Sequence, residues 1–368
     1  MSEGSAEKKK LVIAAAGTGG HVMPGLAVAR VMQERGWDIS WVGTTTGMEA
    51  GLVGKRNIPF YGLNFQGVRG KGVFGAVKGG FKLIGAFFES RRLLKEIAPD
   101  AVFSTGGYVA VPLGTAAHRM KLPLVMMNCD ADLLMSTNTL LPFCDALACG
   151  FAGGARTFAK EKGRTTGNPV RADIVAIAPP QDRMADRQGP LRLFVFGGSL
   201  GAQVFNDVMP AVMAAIPESE RPEIVHQTGK DRDAPVRAAY EKAGVKAEVV
   251  PFIDNMAARY EACDVVICRA GATSISELCA AGAASILVPF VAKTTNHQMG
   301  NARYMAERHA SILVPQEEFT VERMAELISG LTRDRLLELA KNARATARPQ
   351  AAEAVADLIE EITAKYAR

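Results

Sequence analysis

The segment "AAAGTGGHVMPG" (14–25) sets His21 directly behind Gly17, Thr18, Gly19 and Gly20. Backbone amides left open where a strand turns into a helix bind phosphate oxygens, and the helix dipole adds to the attraction. A neutral imidazole at that mouth could take a proton from an attacking hydroxyl. The bland alternative is a tight turn that needs glycine in any case, with a histidine packed beside it. Three more glycine-bearing loops follow strand-like runs: "STGGY" (104–108), "GGSLGA" (197–202) and "RAGATSISE" (269–277). Recurrence of the device in both halves of the chain favours a diphosphate ligand over four coincidental turns.

Within the last of these loops, Ser274, Ser276 and Glu277 open a helix. Hydroxyls and amides there suit a diphosphate, and a carboxylate one turn in suits the two hydroxyls of a ribose. Simple capping by Ser with Glu behind it gives the same pattern. "FVAKTTNHQMGNA" (290–302) gathers Lys293, Asn296, His297, Gln298 and Asn301. Such a loop offers the mixed donors and acceptors that sugar hydroxyls require, or else is a solvated helix start. Asp130 and Asp132 in "CDADLL" have the D-x-D spacing of a divalent-metal site. That spacing is common by chance, and a site rich in amides neutralises phosphate without metal, so no metal is expected. His118, His226 and His309 fall in regular elements away from these loops.

A dinucleotide dehydrogenase is the obvious rival. Its fingerprint needs G-x-G-x-x-G and an acidic residue closing the second strand. Here the loop reads G-T-G-G-H-V and the second strand ends "WVGTTTG", with Asp38 ahead of that strand.

The elements that must carry these loops follow from periodicity. "KLVIAAAG" reads as a buried parallel strand, followed by the helix "PGLAVARVMQERG" with Pro24 in its first turn and Gly36 past its end. "DISWVG", "DAVFSTGG", "PLVMMN" and "DALACG" continue as strands alternating with helices. After "VAIAPPQDRMADRQGP" (175–190), where periodicity lapses, the pattern restarts at "LRLFVFGGSLGAQVFNDVMPAV". "EIVHQ", "AEVVPF", "DVVICR", "ASILVPF" and "ASILVP" supply its further strands. The expected fold class is α/β, with two Rossmann-like domains facing across a cleft. Their bounds are 1–176 and 177–345, and a C-terminal helix at 346–368 is free to pack back on the first domain.

Composition sets the outer limits. The chain has 368 residues, 48% of them hydrophobic and 22% charged, which suits two globular cores. A net charge of +5 fits an anionic substrate or membrane surface and is too small to imply nucleic acid. Cysteines 129, 144, 149, 263, 268 and 279 form no C-x-x-C pair and read as buried, reduced thiols. "MSEGSAEKKK" has no apolar signal core, and no run reaches the length of a membrane span, so a protein neither secreted nor integral is expected. The stretch 67–95 mixes Phe74, Val77, Phe81, Ile84, Phe87 and Phe88 with Arg69, Lys71, Lys78, Lys82, Arg91 and Arg92. It reads equally as a peripheral dock on anionic lipid or as a packed helix with a basic rim.

The ordered set "GTGGHVMPGLAVA", "GVRGKG", "STGGYVAVP", "GNPVR", "GGSLGA", "RAGATSISE" and "NHQMGNA" resembles the MurG family from about residue 10 to 345. These are bacterial undecaprenyl-diphospho-muramoylpentapeptide N-acetylglucosaminyltransferases. The resemblance implies the GT-B fold, UDP-N-acetylglucosamine as donor, lipid I as acceptor and lipid II, the peptidoglycan precursor, as product. It implies a peripheral enzyme on the anionic cytoplasmic face of the inner membrane, among other wall-synthesis proteins, with no cofactor and no nucleic acid. By family pattern Thr18, Gly19 and Gly20 lie near the sugars and acceptor diphosphate, and His21 is the base. Arg171 and Ser199 contact the donor. The Ile253 backbone meets the uracil, while Gly271, Ala272, Thr273, Ser274, Ile275 and Ser276 hold the diphosphate. Glu277 holds the ribose, and Gln298 the donor sugar, helped by His297.

Two departures stand out. The family commonly has His-Glu-Gln-Asn after "LPLV", whereas this chain has "MMNCDADLL", so Asn128 or Asp130 would replace the sugar-contacting asparagine. Leu200 stands where the third loop commonly has glutamine. A GT-B transferase with another lipid or small-molecule acceptor, or a non-catalytic nucleotide-sugar-binding protein, are the rival readings.

Overall fold

The computed structural model describes residues 8–17, 19–47, 49–65, 72–198, 200–291 and 296–366, with backbone alone at 72–78. Two compact units result, one of residues 1–169 with 350–368 and one of residues 170–349.

The first unit is built on a seven-stranded parallel sheet in the order β3-β2-β1-β4-β5-β6-β7. Its strands are β1 (Lys10–Ala15), β2 (Asp38–Thr44), β3 (Phe60–Leu63), β4 (Ala101–Gly106), β5 (Leu124–Asn128), β6 (Ala146–Cys149) and β7 (Gly163–Thr165). The connections carry α1 (Gly19–Glu34), α2 (Glu49–Gly54), α3 (Gly72–Ile97), α4 (Ala110–Arg119), α5 (Met135–Leu140) and α6 (Gly154–Phe158). Leu11, Val12 and Ile13 are wholly buried because helices cover both sheet faces, which explains an apolar run without alternation. The edge strands β3 and β7 are absent from the sequence reading. Each is short, and the "GRT" of β7 has no apolar pattern to detect.

The second unit repeats the plan with six parallel strands in the order β10-β9-β8-β11-β12-β13. These are β8 (Arg192–Phe196), β9 (Glu223–Gln227), β10 (Glu248–Val250), β11 (Val265–Cys268), β12 (Ser285–Leu287) and β13 (Ile312–Leu313). Its helices are α7 (Ala172–Val175), α8 (Pro180–Met184), α9 (Gln203–Ala215), α10 (Asp233–Lys242), α11 (Met256–Ala262), α12 (Ala272–Ala281), α13 (His297–Ala306), α14 (Val321–Ser329) and α15 (Arg333–Ala345). In each sheet the chain winds outward in one direction and then restarts beside the first strand. The topological switch points therefore fall between β1 and β4 and between β8 and β11, where such sheets bind ligands at their C-terminal ends.

The 175–190 stretch is not a loose connection. It carries α8, which packs on α15, while α7 packs on α11 and α12. The chain crosses between units after Pro169, seven residues before the expected 176, and the lapse in periodicity holds a helix start at Pro179 and Pro180. The chain returns to the first unit as α16 (Ala351–Tyr366), which packs on α1 and on β4, β5 and β6. Arg35 bridges Asp357 at 2.8 Å and Glu360 at 2.7 Å, and Trp37 Nε1 donates to Glu360 at 3.1 Å. All six cysteines are buried and none forms a disulfide.

Asp264 rivets the second unit. Its fully buried carboxylate meets Arg187 at 2.7 Å and Arg333 at 3.4 Å and accepts from the Arg192 amide at 2.9 Å. Arg187 and Arg333 also donate to the carbonyls of Cys263, Gly189 and Pro190, so one carboxylate fixes the start of β8, the approach to β11 and the head of α15. Removing one member of a buried pair strands the other charge. Asp264→Ala should therefore cost about 3–5 kcal/mol; an unchanged urea midpoint would contradict this.

Candidate active site

In the first unit the loops after β1 and β4 are locked together. His21 lies in the first turn of α1, and its Nδ1 is 2.8 Å from the Thr105 carbonyl oxygen. A carbonyl only accepts, so Nδ1 carries the proton and the neutral ring's basic lone pair is at Nε2. The Thr105 hydroxyl returns a bond to the His21 carbonyl at 2.7 Å, and Ser104 Oγ donates to Ala14 O at 2.9 Å. Glycine is mandatory at 107: φ is +84°, and a Cβ there would sit 2.0 Å from the Ala16 carbonyl oxygen. At Gly106 a Cβ would press on the His21 ring at 3.2 Å. Gly19 and Gly20 are half-buried in the helix start, with open space where a Gly19 Cβ would stand. Thr18 lies outside the described residues.

The helix begins at Gly19, so Pro24 falls in its second turn rather than its first. Proline cannot donate to Gly20 O four residues earlier. The Cys129 thiol, 3.9 Å away, supplies a weak donor there instead.

The loop after β5 is organised around Asn128. Asn128 is fully buried, and its amide donates to Asp130 O at 2.7 Å and Asp132 O at 3.0 Å while accepting from Leu134 N at 3.0 Å. These hydrogen bonds shape the loop. Asp130 is buried and Asp132 exposed. Among the described residues no three His, Cys, Asp or Glu side chains converge as metal ligands.

In the second unit Gly271 is the N-cap of α12, with φ −68° and ψ 144° and no side chain capping it. Gly271, Ala272, Thr273 and Ser274 line this helix mouth, half-buried. Ile275 is core, and the Ser276 hydroxyl bonds back to Ala272 O at 2.8 Å, so these two side chains serve the helix. Asn301, fully buried, secures the loop by donating to Ala270 O at 3.0 Å. One turn into α12, Glu277 accepts from the Tyr260 hydroxyl at 3.1 Å and pairs with Arg171 at 3.4 Å. Burial raises the Glu277 pKa; Arg171 and the Tyr260 bond oppose that rise. Ile253 buries its side chain after β10, leaving backbone as its means of contact.

Gln227, at the end of β9, joins two of these loops. It accepts from Gly197 N at 3.3 Å and donates to Pro251 O at 3.1 Å. Gly201 has φ +71°, and a Cβ there would meet Thr228 O at 2.0 Å; Leu200 beside it is 81% exposed. Ser199 and Lys293 lie outside the described residues. His297 and Gln298 open α13, and Gln298 accepts from Phe290 N at 2.9 Å. Arg269 stacks on Phe205 and Phe290, with its Cζ 5.1 and 5.5 Å from the ring centroids, and donates to Val288 O at 3.1 Å. Thr105, Gln227, Tyr260 and Arg269 escaped the sequence reading. Only Thr105 and Arg269 carried a signal, as members of the glycine loops. His226 is a core residue bonded to Tyr240 at 3.0 Å, its pKa pushed down to about 4 by burial.

Each unit thus offers a helix mouth at a switch point. The first adds a tautomer-fixed imidazole and the second a half-buried carboxylate. The glycosyltransferase family 28 N-terminal domain matches residues 11–148, and the family 28 C-terminal domain matches 192–362. The chain belongs to the MurG family of glycosyltransferases. A relative from Chromobacterium violaceum, named UDP-N-acetylglucosamine--N-acetylmuramyl-(pentapeptide) pyrophosphoryl-undecaprenol N-acetylglucosamine transferase, is 49% identical over 96% of this chain and 98% of its own length. One from Methylibium petroleiphilum with the same name is 48% identical over 97% and 99%. The crystal structure of Acinetobacter baumannii MurG superposes with a TM-score of 0.83 at 34% identity, covering 96% of this chain and 99% of that one. The MurG family fold is GT-B, and the two parallel-sheet units here conform to it.

Gly107→Ala tests the lock between the first unit's loops. The added methyl meets fixed backbone, so transferase activity should fall at least tenfold with a loss of about 1–3 kcal/mol in stability. Wild-type activity and melting temperature in this variant would contradict the packing.

Proposed function

We propose that this chain transfers N-acetylglucosamine from UDP-N-acetylglucosamine to the 4-hydroxyl of the N-acetylmuramyl group of lipid I, giving lipid II with inversion at the anomeric carbon. The observation carrying the mechanism is the Nδ1–H bond from His21 to Thr105 O, which presents Nε2 as base. His21 Nε2 takes the proton of the acceptor hydroxyl as that oxygen bonds to the anomeric carbon. The bond from that carbon to the UDP oxygen breaks, and both of its electrons leave with UDP. The uncapped amides at the start of α12 meet the negative charge that grows on the diphosphate. Arg171 and Glu277 engage the donor, with Glu277 on the ribose. Gln298 and His297 are the sugar-side residues, and the Ile253 backbone meets the uracil.

The second part of the reading concerns the membrane. Among the described residues no helix is long and apolar enough to cross a bilayer. In α3, Phe81, Ile84 and Phe88 recur at i, i+3 and i+7 and are 73%, 55% and 59% exposed, while Ser90, Leu94 and Ile97 are buried on the opposite side. Arg91, Arg92 and Lys95 are exposed in the following turns. Apolar bulk flanked by cations suits an interfacial helix on anionic lipid. We place this face on the cytoplasmic leaflet of the inner membrane, where lipid I keeps its polyprenyl tail. "GVRGKG" and the side chains of 73–78 lie outside this account.

Two experiments test these proposals. With radiolabelled donor and a lipid I analogue, His21→Ala should lower kcat by about 10²–10⁴-fold, with the donor KM changed only a few-fold. Wild-type turnover would remove His21 as base. Replacing Phe81, Ile84 and Phe88 together by Glu should reduce co-sedimentation with phosphatidylglycerol vesicles at least tenfold and leave turnover of a water-soluble acceptor unchanged. Undiminished vesicle binding would exclude this face as the dock.

A further inference from the structure

Tyr260 is the only hydroxyl-bearing ring that the described contacts bring to the Glu277 carboxylate. It lies in α11, is wholly buried, and is wedged edge-on against Phe194 and Phe196 of β8 at centroid distances of 6.2 Å. Its phenol therefore cannot turn away, and it donates to Glu277 Oε2 at 3.1 Å. The other carboxylate oxygen, Oε1, meets Arg171 at a looser 3.4 Å, and that arginine is 41% exposed. One oxygen is held by a rigid interior donor and the other by a movable surface cation.

We propose that Tyr260 is a positioning residue for donor recognition, pinning Glu277 Oε2 so that the carboxylate presents a fixed acceptor edge to the vicinal hydroxyls of the nucleotide ribose. The inference rests on the assignment of Glu277 to the ribose. The reason for a pin is geometric and electrostatic together. A carboxylate that must accept from two hydroxyls has to stay ionised and in one rotamer. Burial works against ionisation, while the Tyr260 bond and Arg171 favour it. The other ionisable groups acting on the site are Asp173 of α7, which raises the Glu277 pKa, and Cys268 of β11, whose own thiol is pushed up chiefly by burial. When the ribose enters, Arg171 is the partner that can yield, because its contact is longer and solvent can take over the guanidinium.

Tyr260→Phe removes one oxygen and keeps the ring packing. A hydrogen bond to a charged group corresponds to about a tenfold or larger change in affinity. UDP should accordingly bind about tenfold more weakly to the variant, while 2′,3′-dideoxy-UDP, which cannot use the carboxylate, should bind as it does to wild type. The donor KM should rise with kcat within about twofold, and the acid limb of kcat/KM should move to higher pH because Glu277 loses a bond to its charged form. Glu277→Gln, measured beside it, separates the two layers of the claim. If Glu277→Gln loses UDP selectively over the dideoxy analogue but Tyr260→Phe weakens both ligands equally, or neither, the positioning role is overturned. If wild type itself binds UDP and the dideoxy analogue equally, the ribose assignment falls and the pin falls with it.

Discussion

The reciprocal pair of hydrogen bonds between His21 and Thr105 is the constraint on which the chemistry of the first unit depends. It unites a side chain from the first turn of α1 with backbone at the end of β4, across the switch point that the strand order creates. Glycine at 106 and 107 lets the second loop come that close, and the buried Ser104 hydroxyl fastens it to β1. One contact therefore sets the position of the imidazole, its orientation and its tautomer together. None of these properties belongs to the histidine alone.

The second unit solves a different problem with the same architecture. In the proposed reading it holds a charged, polar nucleotide sugar. Glycine-mediated backbone packing at Gly201, the Gln227 bridge and the Arg269 clamp between Phe205 and Phe290 tie the loops to one another. The helix mouth at Gly271 is left without a side-chain cap, so its amides keep their binding capacity. Far beneath the loops, Asp264 and its two arginines fix the strands that aim them.

Much of this was legible in the sequence because the signals are local. Strands buried on both faces are uninterrupted apolar runs, and a strand followed by a glycine loop and a helix is a pattern over about twenty residues. The second-half loops could be read for the same reason. The edge strands of the first sheet were not legible, β7 being three residues without a hydrophobic signature, whereas those of the second sheet fall in the runs "AEVVPF" and "ASILVP". The unit boundary was misplaced because Pro179 and Pro180 mark a helix start as readily as a linker. That Asn128 folds its own loop was not legible, because composition does not show the partners of a side chain. Thr105, Gln227 and Tyr260 act through partners distant in sequence, and only the fold reveals those partnerships.

The central claim is that the fold, through Thr105 O, holds neutral His21 with its proton on Nδ1 and its lone pair on Nε2. Nitrogen-15 NMR of selectively labelled histidine reads this directly near neutral pH. The account predicts an Nδ1 resonance of the protonated, pyrrole type and an Nε2 resonance of the unprotonated, pyridine type for His21, collapsing toward the mobile average when Thr105–Gly107 packing is broken by Gly107→Ala. A His21 ring protonated on Nε2 in the wild-type protein would contradict it.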